Sequence, residues 1–309
     1  MRVAVVDIGT NSTRLLIAQV EHGRVTEELE RVSIVTRLGQ GVDTTGSLAQ
    51  EAMDRVFAVL DDYRARIDAH DVDATTAVLT SAVRDASNGA AFTAAVRERF
   101  GLDAQTIPGE EEAALTFLGA TSERGGSDAG GESVVIDIGG GSTEIVVGRG
   151  QTVSFFVSMQ VGVVRQTERH LHEDPPDPDE LASLASEVEG IIDQEVPEEV
   201  RQRVDHAIAV AGTATSSAAI DLALDPYDPD RVHGHVMPLA RLDELLARLA
   251  QMPNAERREV VGLHPDRAPT IVAGLAVLIE VLRAFGLDEV EVSEHDILRG
   301  AALRRIKSH

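Results

Sequence analysis

Two short loops of nearly the same sequence, 130 residues apart, are the part of this chain best suited to chemistry. Residues 7–13 read D-I-G-T-N-S-T and residues 137–143 read D-I-G-G-G-S-T. Each loop lies between two short apolar runs of the β type, which predicts a β-hairpin whose turn exposes backbone N–H groups. A concave run of amides edged by Ser and Thr hydroxyls suits the oxygens of a phosphate. The repetition predicts two similar lobes that face one another over a phosphorylated ligand.

The residues that would bind the phosphate are backbone amides and hydroxyls of these two loops. They are Gly139, Gly140, Gly141, Ser142 and Thr143 in the second loop and Thr10, Asn11 and Ser12 in the first. Glycine suits such a turn because a Cβ would block the close approach of a ligand or forbid a positive φ. For either loop taken alone, an ordinary hairpin turn is the alternative interpretation.

Carboxylates flank the loops. Asp137 ends the strand before the second loop and Glu144 follows the loop, so the two side chains could share one cation. A carboxylate beside a phosphate is repelled unless a hard cation lies between them, and oxygen ligands suit Mg²⁺ or Mn²⁺. Asp7 is the counterpart in the first loop and is predicted to be a further ligand of the metal or of water. The alternative is that Asp137 caps the turn and Glu144 faces solvent.

Composition limits the class of protein. The chain has 309 residues and is 43% hydrophobic, which predicts two globular domains. It lacks cysteine, so disulfide and thiolate chemistry are excluded. No apolar run is long enough for a signal peptide or a membrane span, so a cytoplasmic protein without a membrane partner is expected. With 52 acidic and 28 basic residues, a nucleic acid is excluded as the main partner. Metal ions and a few arginines must therefore supply the positive charge at a phosphate site.

The hydrophobic pattern predicts a mixed α/β chain. Strands are predicted at 2–6, 13–20, 25–35, 74–80, 105–107, 133–138, 143–148, 153–157, 206–211 and 289–292, and helices at 50–68, 89–100, 110–120, 178–195, 198–203, 240–251, 268–285 and about 295–306. Strands that precede helices, twice over, indicate a duplicated architecture. The Gly- and Ser-rich segment 122–131 predicts a boundary between lobes at 1–123 and 132–309. The last helix is the element that could pack back on the first lobe.

Eight motifs, taken in order, resemble those of the exopolyphosphatase/guanosine pentaphosphate phosphohydrolase (Ppx/GppA) family. They are D-I-G-T-N-S-T-R (7–14), T-S-A-V-R-D-A-S-N (80–88), G-E-E-E-A (109–113), D-I-G-G-G-S-T-E (137–144), V-G-V-V-R (161–165), A-G-T-A-T (211–215), G-L-H-P-D-R-A (262–268) and S-E-H-D-I-L-R-G (293–300). The resemblance covers nearly the whole chain. It implies two actin-like, ribonuclease H-like lobes, the superfold of sugar kinases and the Hsp70 ATPase, with the active site in the cleft between them.

The resemblance implies that Glu112, the last Glu of G-E-E-E-A, is the catalytic base. Hydrolysis of a phosphoanhydride needs a carboxylate that positions and deprotonates water. From the residues alone, an acidic first helical turn favoured by the helix dipole explains Glu112 equally well. Arg84 is predicted to clamp phosphate, with an ion pair to the neighbouring Asp85 as the alternative.

Further substrate contacts are predicted away from the loops. Arg14, Arg165 and Arg267 are candidates for the outer part of a polyphosphate channel. Gly212 and Thr213 resemble the position at which relatives of the superfold hold a nucleotide, and in a polyphosphatase they would contact the phosphate chain. The family often has Gly or Ser at the position of Ala211.

Three functions fit these features. The first is metal-dependent hydrolysis of the terminal phosphate of inorganic polyphosphate, and the second is hydrolysis of guanosine pentaphosphate (pppGpp). The third is a kinase or ATPase of the same superfold, which G-E-E-E-A and the second loop disfavour. With 3% aromatic residues and no Trp, a platform for stacking guanine is hard to find, which favours polyphosphate. Longer members of the resembled family have an additional C-terminal helical region, which this chain lacks. Without it, a long polymer would have less surface to bind, so short polyphosphate is the expected substrate. Whether the chain forms a homodimer is left open.

Overall fold

The computed structural model describes residues 1–122, 131–150 and 152–307. Its strands are β1 (Arg2–Ile8), β2 (Ser12–Glu21), β3 (Arg24–Val35), β4 (Ala74–Leu79), β5 (Ala104–Thr106), β6 (Glu132–Ile138), β7 (Thr143–Arg149), β8 (Thr152–Met159), β9 (Val204–Val210), β10 (Val236–Pro238) and β11 (Glu289–Val292). Most of the predicted boundary segment, residues 123–130, lies outside the described residues.

Helices fill most of the rest of the described chain. They are α1 (Val42–Thr45), α2 (Gln50–Ala69), α3 (Ser81–Asp85), α4 (Gly89–Phe100), α5 (Gly109–Thr121), α6 (Val163–His170), α7 (Pro178–Glu195), α8 (Glu198–Arg201), α9 (Ala211–Asp221), α10 (Pro229–Val232), α11 (Leu239–Ala250), α12 (Asn254–Arg257), α13 (Ile271–Phe285) and α14 (Ile297–Lys307), with a 3₁₀ turn at Pro265–Arg267. Over the described ranges, none of these helices has the length and apolar character needed to cross a membrane.

Two sheets repeat one strand order. The first is β3-β2-β1-β4-β5, in which β1 and β2, and β2 and β3, are antiparallel, whereas β4 is parallel to both β1 and β5. The second is β8-β7-β6-β9-β11-β10 and shows the same sequence of antiparallel and parallel pairs, with β10 added antiparallel at its edge. The predicted duplicated α/β architecture of actin-like lobes is confirmed.

The central strand of the first sheet is buried on both faces, which explains its uninterrupted apolar sequence. Side chains alternate between the faces of a strand. Ala4 and Val6 of β1 therefore join a core with α2 and α4, while Val3 and Val5 join a core with α5 and α14. In the second sheet, β6 packs through alternate residues into a core with α7 and α13.

The chain divides into two compact units, one formed by Met1–Ser122 with Asp296–His309 and the other by Glu123–His295. Helix α14 belongs to the first unit, where it packs against α5. The two helices touch at glycines, since an ideal Cβ on Gly119 would lie 1.9 Å from the Asp296 carbonyl oxygen, and one on Gly300 would lie 1.9 Å from that of Leu115. These glycines allow the two backbones to meet directly, and α5 is the helix that carries Glu112.

Several elements differ from the sequence-based prediction. The elements not predicted are α1, α3, α6, α9, α10, α12 and β10. The strand predicted at 206–211 ends at Val210, where α9 begins. Helix α9 reads A-G-T-A-T-S-S-A-A-I-D, in which small residues are buried on nearly every side. Such a sequence has no apolar stripe of helical period, so its helical structure depends on the packing around it.

Candidate active site

The same tight turn closes both hairpins. In the first loop the Gly9 N–H donates to the Ser12 carbonyl at 3.0 Å, and in the second the Gly139 N–H donates to the Ser142 carbonyl at 2.9 Å. An ideal Cβ on either glycine would lie 3.2 Å from that carbonyl oxygen. The two loops that look alike in sequence are therefore built alike.

The second loop directs three successive amides to one side. The first two N–H groups of α6 donate to the carbonyls of Gly139 and Gly140 at 2.9 Å, and Arg165 Nε donates to the Gly141 carbonyl at 2.9 Å. Because a trans peptide places each C=O opposite the N–H of the next residue, the amides of Gly140, Gly141 and Ser142 point away from these donors. Such a row of N–H groups forms a concave site for an anion. Arg165, predicted as an outer phosphate ligand, here supports the loop.

The hydroxyls of this loop have partners within the protein. Thr143 is buried and its Oγ1 donates to the Val161 carbonyl. The Ser142 hydroxyl donates to Glu144 at 2.7 Å. Backbone amides, rather than these hydroxyls, are thus the groups of the second loop suited to a phosphate.

The first loop is supported in a similar way by other elements. The segment 36–39, which follows β3, donates N–H groups to the carbonyls of Thr10 at 2.8 Å and Asn11 at 2.8 and 2.9 Å. By the same peptide geometry, the amides of Asn11 and Ser12 point to the opposite side. Thr10 Oγ1 shares a hydrogen bond of 2.8 Å with the hydroxyl of Ser81, which begins α3. Ser81 is not among the predicted site residues, although it lies in the motif T-S-A-V-R-D-A-S-N (80–88).

Asp137 and Glu144 are directly opposite one another in the β6–β7 register. Side chains of opposed residues leave the same face of an antiparallel pair. Glu144 is only 3% exposed, and its Oε1 accepts hydrogen bonds of 2.7 Å from the hydroxyls of Ser142 and Ser158. Ser158 is opposite Glu144 on β8, and only the strand register reveals it as a neighbour. Glu144 is therefore held inside the protein, which disfavours the solvent-facing alternative.

Two carboxylates on one strand pair fit the donor set of Mg²⁺ or Mn²⁺. In the described part of the chain, no cluster of three or more His, Asp or Glu side chains could by itself hold a metal. Mg²⁺ is commonly held by one or two carboxylates, with water and substrate phosphates completing its ligands. Asp137 and Glu144, beside a turn of phosphate-binding type, match this arrangement.

The first loop differs because Arg14 is the residue opposite Asp7 in the β1–β2 register. Arg14 Nε and Nη2 donate to Asp7 Oδ2 at 2.8 and 2.6 Å, and Arg14 also pairs with Asp296. Arg14 is thus held by two carboxylates of the first unit. Asp7 Oδ1 is buried without a hydrogen-bond partner in the described chain. Burial raises the pKa of Asp7 and the Arg14 guanidinium lowers it, with burial the larger effect. That oxygen is the one suited to water or a metal.

Glu112 lies in the first turn of α5 and is 8% exposed. Arg84 Nη1 donates to Glu112 Oε2 and to the Ile107 carbonyl, both at 3.0 Å. The contact between Arg84 and Asp85 is longer, at 3.9 Å. Arg84 therefore orients Glu112, a contact absent from the sequence-based interpretation of Arg84 as a phosphate clamp.

The two neighbouring glutamates have other surroundings. Glu110 is exposed, and Glu111 pairs with Arg304 of α14. An acidic first turn favoured by the helix dipole would account for both of them. Glu112 alone among the three is buried beside Arg84, as a positioned base requires.

In the second unit, the 3₁₀ turn brings Arg267 onto the first turn of α9. An ideal Cβ on Gly212 would lie 1.4 Å from Arg267 Nη1, so only glycine allows this contact. Ala211 has a φ of 62°, a left-handed conformation in which an alanine is strained. Thr213 is buried in the same turn. A helix N-terminus with a guanidinium on it suits an anion.

Two α/β units of one strand order, each with an amide loop of phosphate-binding type, define the class as a phosphate-handling protein of the actin-like superfold. A buried glutamate oriented by an arginine is a candidate base for hydrolysis. The model of the Ppx/GppA phosphatase family matches residues 16–309, so the chain belongs to this family.

Three relatives are each matched over 98% of their length. Exopolyphosphatase 2 of Mycobacterium tuberculosis is 39% identical, over 98% of both chains. The crystal structure of the Ppx/GppA family member of Aquifex aeolicus is 31% identical, with a TM-score of 0.84 over 100% of this chain and 98% of that one. An exopolyphosphatase from Cytophaga hutchinsonii is 26% identical, with a TM-score of 0.89 over 100% of this chain and 98% of that one.

Proposed function

We propose that this protein is an exopolyphosphatase that hydrolyses the terminal phosphate of inorganic polyphosphate. The single observation that carries the proposal is Glu112, a buried carboxylate oriented by Arg84 at 3.0 Å, in a chain whose two loops present backbone amides. Polyphosphate asks only for repeated phosphate contacts, which amides and arginines supply. The similarity to named exopolyphosphatases over the whole chain supports the same substrate.

In the proposed reaction, Glu112 accepts a proton from the attacking water. The water oxygen forms a bond to the terminal phosphorus, the bridging P–O bond breaks, and the shortened polyphosphate leaves with its electron pair. Backbone amides of the phosphate loops stabilise the negative charge on the transferred phosphoryl group. Arg84 holds the carboxylate in position during the proton transfer.

Asp137 and Glu144 would hold the divalent cation. In the first unit, Asp7 Oδ1 is an oxygen suited to water or a metal. When bound there, Mg²⁺ or Mn²⁺ supplies positive charge that offsets the phosphate oxygens and the flanking carboxylates. A phosphate ligand needs such positive charge because the chain itself has a net charge of −24 and repels anions. Asp137 and Glu144 are the principal proposed metal ligands, because Asp7 already forms an ion pair with Arg14.

The test is phosphate release from a panel of substrates by the purified protein in the presence of Mg²⁺. Triphosphate, medium and long polyphosphate, pppGpp and ATP are compared by kcat/KM, and Glu112→Gln is assayed beside the wild type to exclude a contaminating phosphatase. We expect polyphosphate to be the best substrate, short chains to be preferred, pppGpp to be poorer and ATP poorer still. A clear preference for pppGpp, or release that persists in Glu112→Gln, would refute the proposal.

A further inference from the structure

A cavity of about 230 Å³ lies in the first unit, beside the edge strand β5. Its polar lining consists of Thr76, Gln105, Arg304 and Arg305, and apolar side chains of β4, α14 and the residue after β5 complete it. None of these residues belongs to the phosphate loops or to the Glu112–Arg84 pair. The cavity adjoins the Glu112–Arg84 pair through Ile107, whose carbonyl accepts from Arg84, but it is lined by neither of these two residues.

The charge of the lining is positive. Two guanidiniums and no carboxylate are among the lining residues, in a chain of net charge −24. The carboxylates that pair with them lie outside the lining: Glu111 pairs with Arg304, and Asp103 Oδ2 is 2.8 Å from Arg305 Nη1. The side chain of Asp103 is 42% exposed. An exposed ion pair contributes little to stability, so an anion inside the cavity can compete for the guanidinium.

Arg305 also carries a donor that the described chain does not satisfy. Its Nε is buried and has no hydrogen-bond partner among the described residues. A buried donor without an acceptor destabilises the folded protein, and an oxygen ligand would remove this penalty. A guanidinium binds oxoanions through two parallel N–H groups, which adds both strength and direction.

We propose that this cavity binds a single tetrahedral oxoanion of the phosphate type through Arg305 and Arg304, with Thr76 and Gln105 as neutral partners. Its volume is smaller than the roughly 300–1,000 Å³ of clefts for drug-sized ligands, which favours one anion over a nucleotide. The anion is either free orthophosphate or the terminal group of a phosphate chain, and both share this chemistry.

Two variants change the cavity in opposite directions. Arg305→Met removes the guanidinium and its buried Nε but keeps a long side chain. Asp103→Asn keeps Arg305 and removes the competing charge. The matched control is Arg64→Met, because Arg64 of α2 is in an exposed ion pair with Asp68 and does not line the cavity. Circular dichroism and thermal melting verify that each variant folds.

Equilibrium dialysis with labelled orthophosphate measures the number and affinity of bound phosphates. Arg305→Met is expected to lose one phosphate per chain, Asp103→Asn to bind one phosphate several-fold more tightly, and Arg64→Met to match the wild type. Unlabelled triphosphate, added without metal to the Glu112→Gln variant so that it is not hydrolysed, then distinguishes the sources, since it displaces this phosphate only if the cavity accepts a chain end. An unchanged phosphate number in Arg305→Met, or an unchanged affinity in Asp103→Asn, would overturn the proposal.

Discussion

At the scale of single residues, the environment of each carboxylate separates its role from that of its neighbours. Three glutamates begin α5, yet Glu112 is the one buried beside Arg84. Asp7 and Asp137 likewise occupy equivalent places in the two loops, but their cross-strand neighbours differ in the sign of their charge. Asp7 is opposite a cation, Arg14, and Asp137 is opposite an anion, Glu144. Two carboxylates on one strand pair favour a cation at the second loop, and this is the basis of the proposed Mg²⁺ or Mn²⁺ site.

Glu112→Gln is expected to lower kcat for phosphate release by about 10²–10⁴, the usual loss when a general base is removed. The amide keeps the shape of the side chain and can still accept from Arg84, so folding and substrate binding should be retained. Steady-state kinetics on polyphosphate measures the effect. Glu111→Gln is the control, because Glu111 pairs with Arg304 instead. A kcat near that of the wild type in Glu112→Gln would exclude Glu112 as the base.

Asp137→Asn and Glu144→Gln should each raise the Mg²⁺ concentration needed for half-maximal activity, because each removes one negative charge from the proposed cation site. The measurement is a Mg²⁺ titration of phosphate release at saturating substrate. Ser158→Ala serves as the comparison, since it removes a hydrogen bond to Glu144 without changing charge. If neither carboxylate variant changes the Mg²⁺ dependence, the two residues are not metal ligands.

At the scale of elements, the helices next to the second loop and to Glu112 make their closest backbone contacts at glycines. Gly162, just before α6, lies so close to the second loop that an added Cβ would be 2.4 Å from the Gly140 carbonyl oxygen. Gly119 and Gly300 likewise leave no room for a Cβ where α5 packs against α14. Close backbone contact leaves little room for adjustment, so these helices hold the loop and Glu112 in a defined place.

Gly300→Ala is expected to lower the free energy of unfolding by about 1–3 kcal/mol, because its Cβ would overlap the Leu115 carbonyl and force α14 away from α5. Urea denaturation measures the change. Gly190→Ala is a matched control, since Gly190 is also inside a helix but an added Cβ there meets nothing within 4 Å. That control should gain about 0.5–1 kcal/mol. Equal effects in the two variants would contradict direct packing at Gly300.

At the scale of the whole molecule, the excess of acidic residues dominates. A formal net charge of −24 at pH 7 means that the folded state repels itself, and compaction increases this repulsion. Dissolved salt screens exposed charges over a Debye length that falls from about 30 Å at 0.01 M to about 8 Å at 0.15 M.

We therefore expect Tm to rise when NaCl is increased from 0.01 to 0.5 M at pH 7. A gain of about 1 kcal/mol corresponds to roughly 2–4 °C for a chain of 150–250 residues, which sets the scale of the effect. Differential scanning calorimetry of the metal-free protein measures it, and a MgCl₂ series at constant ionic strength separates screening from binding at a specific site. A Tm that is constant or falls with NaCl would show that repulsion does not limit stability.

Much of the fold could be predicted because the necessary signals are local. Apolar runs, glycine-rich turns and helical periods each lie within about twenty residues, so β1, β2, β6, β7, α2 and α4 were predicted within a few residues of their observed bounds. The repeated D-I-G loops indicated the duplication directly. Helix α9 was missed because its uniformly small residues form no apolar stripe, and α3 because five residues are too few for a helical period. Helix α6 is amphipathic, but it has only eight residues.

The sequence by itself determined the duplicated α/β plan, the two amide turns and a short set of carboxylates and arginines suited to phosphate chemistry. The tertiary structure decided which of these groups touch. Arg14 binds Asp296, 282 positions away, and Arg84 binds Glu112, 28 positions away. Such pairs depend on strand register and helix packing, which bring together side chains that no local pattern connects. The residue types therefore predicted the available chemistry, whereas only the folded structure showed how the proposed base is oriented.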